Sequence, residues 1–187
     1  PPTDNDGGVA YWSFDNADSD TRVLEDKWGD HDGVRGTSGG DGDWPSINES
    51  GKRGKALSFD GSDDYVDFGG NPDFEFKNTS LTYSAWVTIR DNVNDYRPFV
   101  SLEGSSDNTP RINLAKARSG WNSGRIYFEV HSSGTSGNNA FSNQKGSQLP
   151  KNEWMHLVGT ADTSEQEVQL YLNGELQDTA NMPVYDI

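Results

Sequence analysis

The stretch "EVQLYLNGELQDT" limits what this chain can fold into more than any other. Val168, Leu170 and Leu172 recur at every second position, the period of an extended strand with one buried face. Asn173-Gly174 follows at once, and a type I′ turn selects this pair because both of its central positions need positive φ. A chain that reverses on two residues commits its flanks to antiparallel pairing. "LTYSAWVTI" repeats the alternation, with Leu81, Tyr83, Ala85 and Val87 on one side and Thr82, Ser84, Trp86 and Thr88 on the other. "VAYWSF" (Val9–Phe14) reads as a first strand, and "KALSF", "DYVDF", "RPFVSLE", "RINLA", "GRIYFEV" and "EWMHLVGTAD" supply further short segments between Gly, Ser, Asn and Asp turns. The pattern predicts about ten strands, no helix and no repeat, hence an all-β, antiparallel two-sheet β-sandwich with jelly-roll topology.

The 187 residues are enough for one core, built from few but large side chains, since 31% are hydrophobic and 11% aromatic. Residues 1–8, "PPTDNDGG", read as a linker, and 9–187 as a single domain. From Asn16 to Gly54 the chain is polar, with apolar content only at Val23-Leu24, Trp28, Val34, Trp44 and Ile47. A stretch of that length without regular structure is unusual unless it is functional or held by a ligand.

Thirty acidic residues against fifteen basic ones give a net charge of −15. Nucleic acid and anionic membranes are therefore poor partners, because both require a basic face. The excess suits either adaptation to a saline (halophilic) setting or the holding of divalent cations. The chain has no cysteine, which leaves the redox compartment open. It also has no run near the ~18 apolar residues that a membrane helix needs.

Taken in order, "VAYWSFDNADSD", "EDKWGDHDGV", "GKRGKALSFDGSDDYVDFG", "LTYSAWVTIR", "EWMHLVGTAD" and "VQLYLNGEL" resemble the laminin-G-like (LamG-like jelly roll) domains of the concanavalin A-like lectin/glucanase superfamily. The resemblance runs from about Val9 to Leu176. It implies an extracellular or cell-surface module and a calcium site where the end of the first strand meets the Asp26–Gly33 loop, held by Asp15, Asp26, Asp30 and Asp32. Family members continue past the hairpin with two more strands, whereas this chain ends at "ANMPVYDI". The resemblance thus implies that the last strands are cut away, come from another chain or are replaced by a different completion of the sandwich. An unfilled position is an incomplete C-terminal edge, open to strand pairing with another chain.

Glycosidases on this fold set three carboxylates on one strand at alternate positions, giving the ~5–5.5 Å separation of retaining chemistry. No Glu-x-Asp-x-(x)-Glu stretch occurs here, and Glu165 with Glu167 lacks the third carboxylate. His31, His131 and His156 have no nucleophile elbow beside them. The reading is therefore a non-catalytic binding or adhesion module for carbohydrate or a surface protein. The rival is a purely architectural domain, and a polysaccharide-active glycosidase ranks third. Sugar binding rests on aromatic faces with neighbouring polar groups. The loop-borne aromatics are Trp28, Trp44, Tyr96 and Trp121, with Tyr127 near a strand start. Tyr96-Arg97 and "RSGWNSGR" are positioned to border one groove, so Tyr96, Arg97, Trp121 and Tyr127 are the candidate ligand residues. The aspartates of "SFDGSDDYVDFG" read as turn residues, with Phe59 and Tyr65 anchoring the packing.

Overall fold

The computed structural model describes residues 7–36, 43–74, 79–90, 95–102, 111–131, 138–141 and 144–182. Among them are thirteen strands and three short 3₁₀ turns. No helix there is long and apolar enough to cross a membrane. The chain forms two compact units, Pro1–Glu75 and Phe76–Ile187, where the sequence suggested one domain from residue 9.

The first unit is a set of very short strands. β1 (Val23–Leu24), β2 (Gly33–Arg35) and β5 (Val66–Asp67) form one antiparallel sheet, and β3 (Ser46–Asn48) pairs with β4 (Ala56–Ser58). The polar stretch expected to lack regular structure thus contributes three strands. Conversely, the first strand expected over Val9–Phe14 is reduced to a single bridge, Trp12 to Asp26. Two local features explain this. The Tyr11 amide donates to the Asp26 side chain instead of to a neighbouring strand, and Phe14 turns the chain with a φ of 63°. Trp12 packs on Phe68 and Phe74. Phe59 does not anchor the packing, since it is 48% exposed. The aspartates around it act as turn acceptors: Asp60 takes the Ser62 amide and Asp64 the Asp60 amide.

The second unit is the predicted sandwich. One sheet runs β13-β12-β11-β6, from β6 (Leu81–Val87), β11 (Met155–Asp162), β12 (Glu167–Leu172) and β13 (Glu175–Asn181). The other runs β10-β9-β8-β7, from β7 (Arg97–Leu102), β8 (Arg111–Lys116), β9 (Ile126–His131) and β10 (Asn138–Phe141). Every pairing is antiparallel. Both turn residues of the Asn173-Gly174 hairpin have positive φ, 52° and 84°, as a type I′ turn requires. Ile112 and Leu114 of one sheet share the core with Leu157, Val168 and Leu170 of the other. Phe128 fills its centre and lies so close to Gly159 that a Cβ there would stand 2.2 Å from the ring. Glycine is thus the residue that lets the two sheets approach at this point. Outside the core, His156 stacks on Trp86 at 4.8 Å, and its ring nitrogen Nε2 lies 2.9 Å from the Ser84 hydroxyl. At the sandwich margin, the Asp178 carboxylate of β13 accepts the backbone amide of Phe141 in β10 at 3.0 Å.

Candidate functional site

The acidic loop of the first unit brings the expected metal residues into one neighbourhood but gives them other work. The Asp26 side chain is buried and accepts four hydrogen bonds. Oδ1 takes the amides of Tyr11 (2.8 Å) and Trp28 (2.9 Å), while Oδ2 takes the His31 amide (3.3 Å) and faces His31 Nδ1 at 3.1 Å. Burial opposes ionisation of Asp26, but these donors outweigh it and hold the carboxyl below its ordinary range. His31 Nε2 in turn lies 3.2 Å from Asp73. Burial works against its charge, yet the two carboxylates raise its pKa above the ordinary imidazole value. Both nitrogens can donate to these carboxylates at once only in the doubly protonated ring. Asp32 Oδ1 accepts the Asp26 amide (2.9 Å), and Asp15 Oδ1 accepts the Lys55 amide (3.0 Å). Gly54 is needed beside it, because a Cβ there would stand 2.0 Å from Asp15 Oδ1. Asp30 is exposed and lines a cleft of about 590 Å³ with Trp28, His31, Asn71 and Asp73.

These residues do not fit the calcium ion implied by the resemblance. Calcium takes six to eight oxygens that face inward together. Here the Asp26 oxygens are committed to donors, Asp32 and Asp15 each cap a backbone amide, and no three His, Asp or Glu side chains among the described residues converge on a point. The cations of this loop are its own side chains. The Lys27 ammonium is bonded to Glu25, which raises its pKa first, with the charges of Asp15 and Asp32 adding to the effect. Lys55 Nζ donates to the Ala17 carbonyl. Arg35 is buried, bonds the carbonyls of Asp18 and Thr21, and shares the Trp44 ring with Arg22, whose guanidinium lies 4.3 Å from the ring centroid. Trp28 and Trp44 are packing residues here: Trp28 lies 5.4 Å from Tyr11 and Trp44 carries the two arginines.

The second unit assembles three of the four candidate ligand residues. The strand registers lay out the face of β7–β10 that points away from the core as rows. Phe141, Tyr127, Ala115 and Pro98 form one row. Asn139, Glu129, Asn113 and Ser101 form the next, and His131 with Arg111 the third. Trp121 stands edge-to-face on Tyr127 (5.1 Å) and Phe141 (5.9 Å), and Tyr96 packs against the same cluster. Burial, then Tyr96 and Glu129, push the Tyr127 hydroxyl well above the ordinary tyrosine range. Arg97 falls elsewhere: its register partner is Lys116, on the opposite side of the sheet from Tyr96, and its guanidinium lies 3.6 Å from Asp95.

Local backbone geometry presents Trp121. The amides of Trp121 and Gly124 both return to the Arg118 carbonyl at 3.0 Å, and Asn122, Ser123 and Gly124 all have positive φ. Non-glycine residues in that region carry strain that the fold must offset, so the loop holds the indole in a costly, defined place. Trp121 is 44% exposed, while Tyr127 against it and Asn113 and Glu129 in the next row are buried. Asn113 Nδ2 donates to Glu129 Oε2 at 3.3 Å. Asn113 Oδ1, Asn139 Oδ1 and the Nε atoms of Arg111 and Arg125 are buried without a hydrogen-bond partner. Sequence reasoning missed Arg111, Asn113, Glu129 and Asn139. Their signal was a polar residue at alternate positions of "RINLAK" and "IYFEV", but only the register puts Asn113 opposite Glu129.

Residues 60–186, well over half of the chain, match the family model of the concanavalin A-like lectin/glucanases superfamily, of laminin G type. The chain belongs to this family. A solved structure from Bacteroides ovatus ATCC 8483, provisionally named a carbohydrate binding protein, is similar at 19% identity with a TM-score of 0.41, over 57% of this chain and 27% of that one. No curated protein matches the chain. The family holds both lectins and glucanases, so membership leaves binding and hydrolysis both within its range.

Proposed function

We propose that this chain is a non-catalytic carbohydrate-binding module, with its site on the face of β7–β10 around Trp121. The observation that carries the reading is the arrangement of that face. An exposed indole stands on two further aromatic rings, next to a row that holds the buried carboxylate of Glu129 and two amides, Asn113 and Asn139, whose oxygens have no hydrogen-bond partner. Aromatic faces stack on the apolar sides of pyranose rings, and amide and carboxylate oxygens take their hydroxyls. A binding role is favoured over hydrolysis because the residue across from Glu129 is Asn113, an amide that donates to it. Glycoside hydrolysis needs a second carboxyl at that kind of spacing. Since polysaccharides of this kind lie outside the cell, we read the module as an extracellular or cell-surface one, with adhesion as its service. Glycan-array binding of the chain and of its Trp121→Ala variant is the test. The expected result is binding to at least one polysaccharide, lost in the variant; equal binding by the variant removes this site from the reading.

A further inference from the structure

Charge is distributed unevenly along this chain. The unit Pro1–Glu75 holds 18 of the 30 acidic residues and 6 of the 15 basic ones, whereas Phe76–Ile187 holds 12 and 9. Three of the nine basic residues of the second unit, Arg111, Arg118 and Arg125, flank the face described above. Arg111 closes the third row beside His131. Arg125 precedes Tyr127 by two residues and so lies at the aromatic end, where its carbonyl takes the Ala117 amide. Arg118 starts the turn that carries Trp121. From Arg125 to the row of Arg111 is six strand residues, about 20 Å at ~3.3 Å each. Between these cationic ends stand the rings and the Asn113–Glu129 pair.

Resting on the carbohydrate reading, we infer that the ligand is an anionic polysaccharide rich in uronic acid, its carboxylates taken by Arg111 and Arg125 and its ring faces by Trp121. Three features select this class over neutral glycans. Both arginines are half-buried: the Nε–H of each lies in the protein interior, so the outer nitrogens of the guanidinium are the part left to meet a ligand. Guanidinium groups bind planar carboxylates in a bidentate way, and each such bond is roughly twice as strong as one between neutral groups. The third feature is the position of Glu129, the one carboxylate among the described residues of these rows. It is central, buried and already bonded by Asn113, so it repels a ligand carboxylate from the middle while accepting hydroxyls there. The result is a pattern of anion sites at the ends and hydroxyl sites at the centre, matching a short run of sugars charged at intervals. A chain with a net charge of −15 gains nothing from binding a polyanion by bulk attraction, so the contact must be local and specific.

The test titrates the full chain against polygalacturonate and alginate, and against the same two polymers after reduction of their carboxyl groups. Each is run at about 0.05 and 0.5 M NaCl, which changes the screening length several-fold. Binding to at least one uronate polymer, about tenfold weaker for its reduced form and weaker at high salt, is the expected result. Arg111→Gln and Arg125→Gln should each weaken uronate binding by about tenfold and leave any binding to the reduced polymers unchanged. Near-UV circular dichroism of the Trp121 cluster reports whether each variant is folded. If a glutamine variant unfolds, the lysine variants replace it, keeping the charge but losing the bidentate fork. Equal affinity for native and reduced polymers overturns the uronate inference and leaves the carbohydrate reading standing. Uronate binding unaffected by either arginine overturns it too, by moving the contact off this face. Absence of binding to any polymer of either kind overturns both.

Discussion

Residues 7–74 and 79–182 are both built from short antiparallel strands, yet different forces hold them. In the sandwich, order comes from apolar side chains meeting across two sheets, with Phe128, Leu157 and Leu170 fully buried. In the acidic unit, strands of two or three residues are too short to stand alone, and side chains do the joining. Asp26 gathers three amides and an imidazole, Arg35 ties two carbonyls, and Asp15 and Asp32 each cap an amide. One region is insensitive to ionisation by construction; the other is made of it. Carboxylates that look like a metal site in sequence serve as acceptors for the backbone of their own loop.

The comparison is sharpest in the core. Phe128→Ala should cost the sandwich about 3–5 kcal/mol, since it empties the centre of both sheets. Gly159→Ala should cost about 1–3 kcal/mol by pressing a methyl into the same ring. Both values are read from chemical denaturation, and combining the two changes should cost less than their sum because the collision disappears. In the acidic unit Asp26→Ala should cost about 2–3 kcal/mol, the penalty of stranding buried donors. Hydrogen exchange should show that loss at the amides of Tyr11 and Trp28 while leaving those of Leu157 and Leu170 slow.

A pH series separates the regions without mutation. The Asp26 pKa is depressed below its free value of 3.8, so its contribution is complete above that pH and fades as pH falls through the folded value. The His31 pKa is raised above 6.5, so its contribution is complete below 6.5 and fades as pH rises through the folded value. The Asp26–His31–Asp73 chain is thus intact between these limits and weakens on both flanks. Exchange at Trp28 should follow that window and exchange at Leu170 should not. His31→Gln should flatten the alkaline flank alone; an unchanged alkaline flank would show that His31 does not hold the turn. The smallest expected effect is none at all: EDTA should leave the melting temperature unchanged, because Asp15, Asp26 and Asp32 already have partners within the protein.

How much of this was legible in the sequence follows the same divide. Strands with five or more residues in strict alternation, such as Leu81–Val87 and Met155–Asp162, carry their own signal, and the Asn-Gly turn fixes their neighbours. Asn138–Phe141 was missed because its start, Asn-Asn, looks like a turn; it is a strand because Glu129 and Val130 pair with it. Val23–Leu24 and Gly33–Arg35 were missed because bonds between residues far apart in sequence create them, among them the Arg35 amide to the Arg22 carbonyl. The candidate site was half visible. Trp121, Tyr127 and Tyr96 stood out as aromatics near loops, whereas Arg97 was misplaced because one residue's shift along a strand changes its face. Arg111 and Asn113 needed the register, and no single stretch of sequence contains it.

The bond from Asp178 to the Phe141 amide has a consequence for how this molecule behaves in a crowd. A bare edge amide is a template, and templates recruit copies of themselves into aggregates. Here a foreign strand that pairs at Phe141 would have to evict a carboxylate from the other sheet to reach that donor, and a second copy would bring its own negative charge with it. A single aspartate thereby guards one donor at the margin where the two sheets meet.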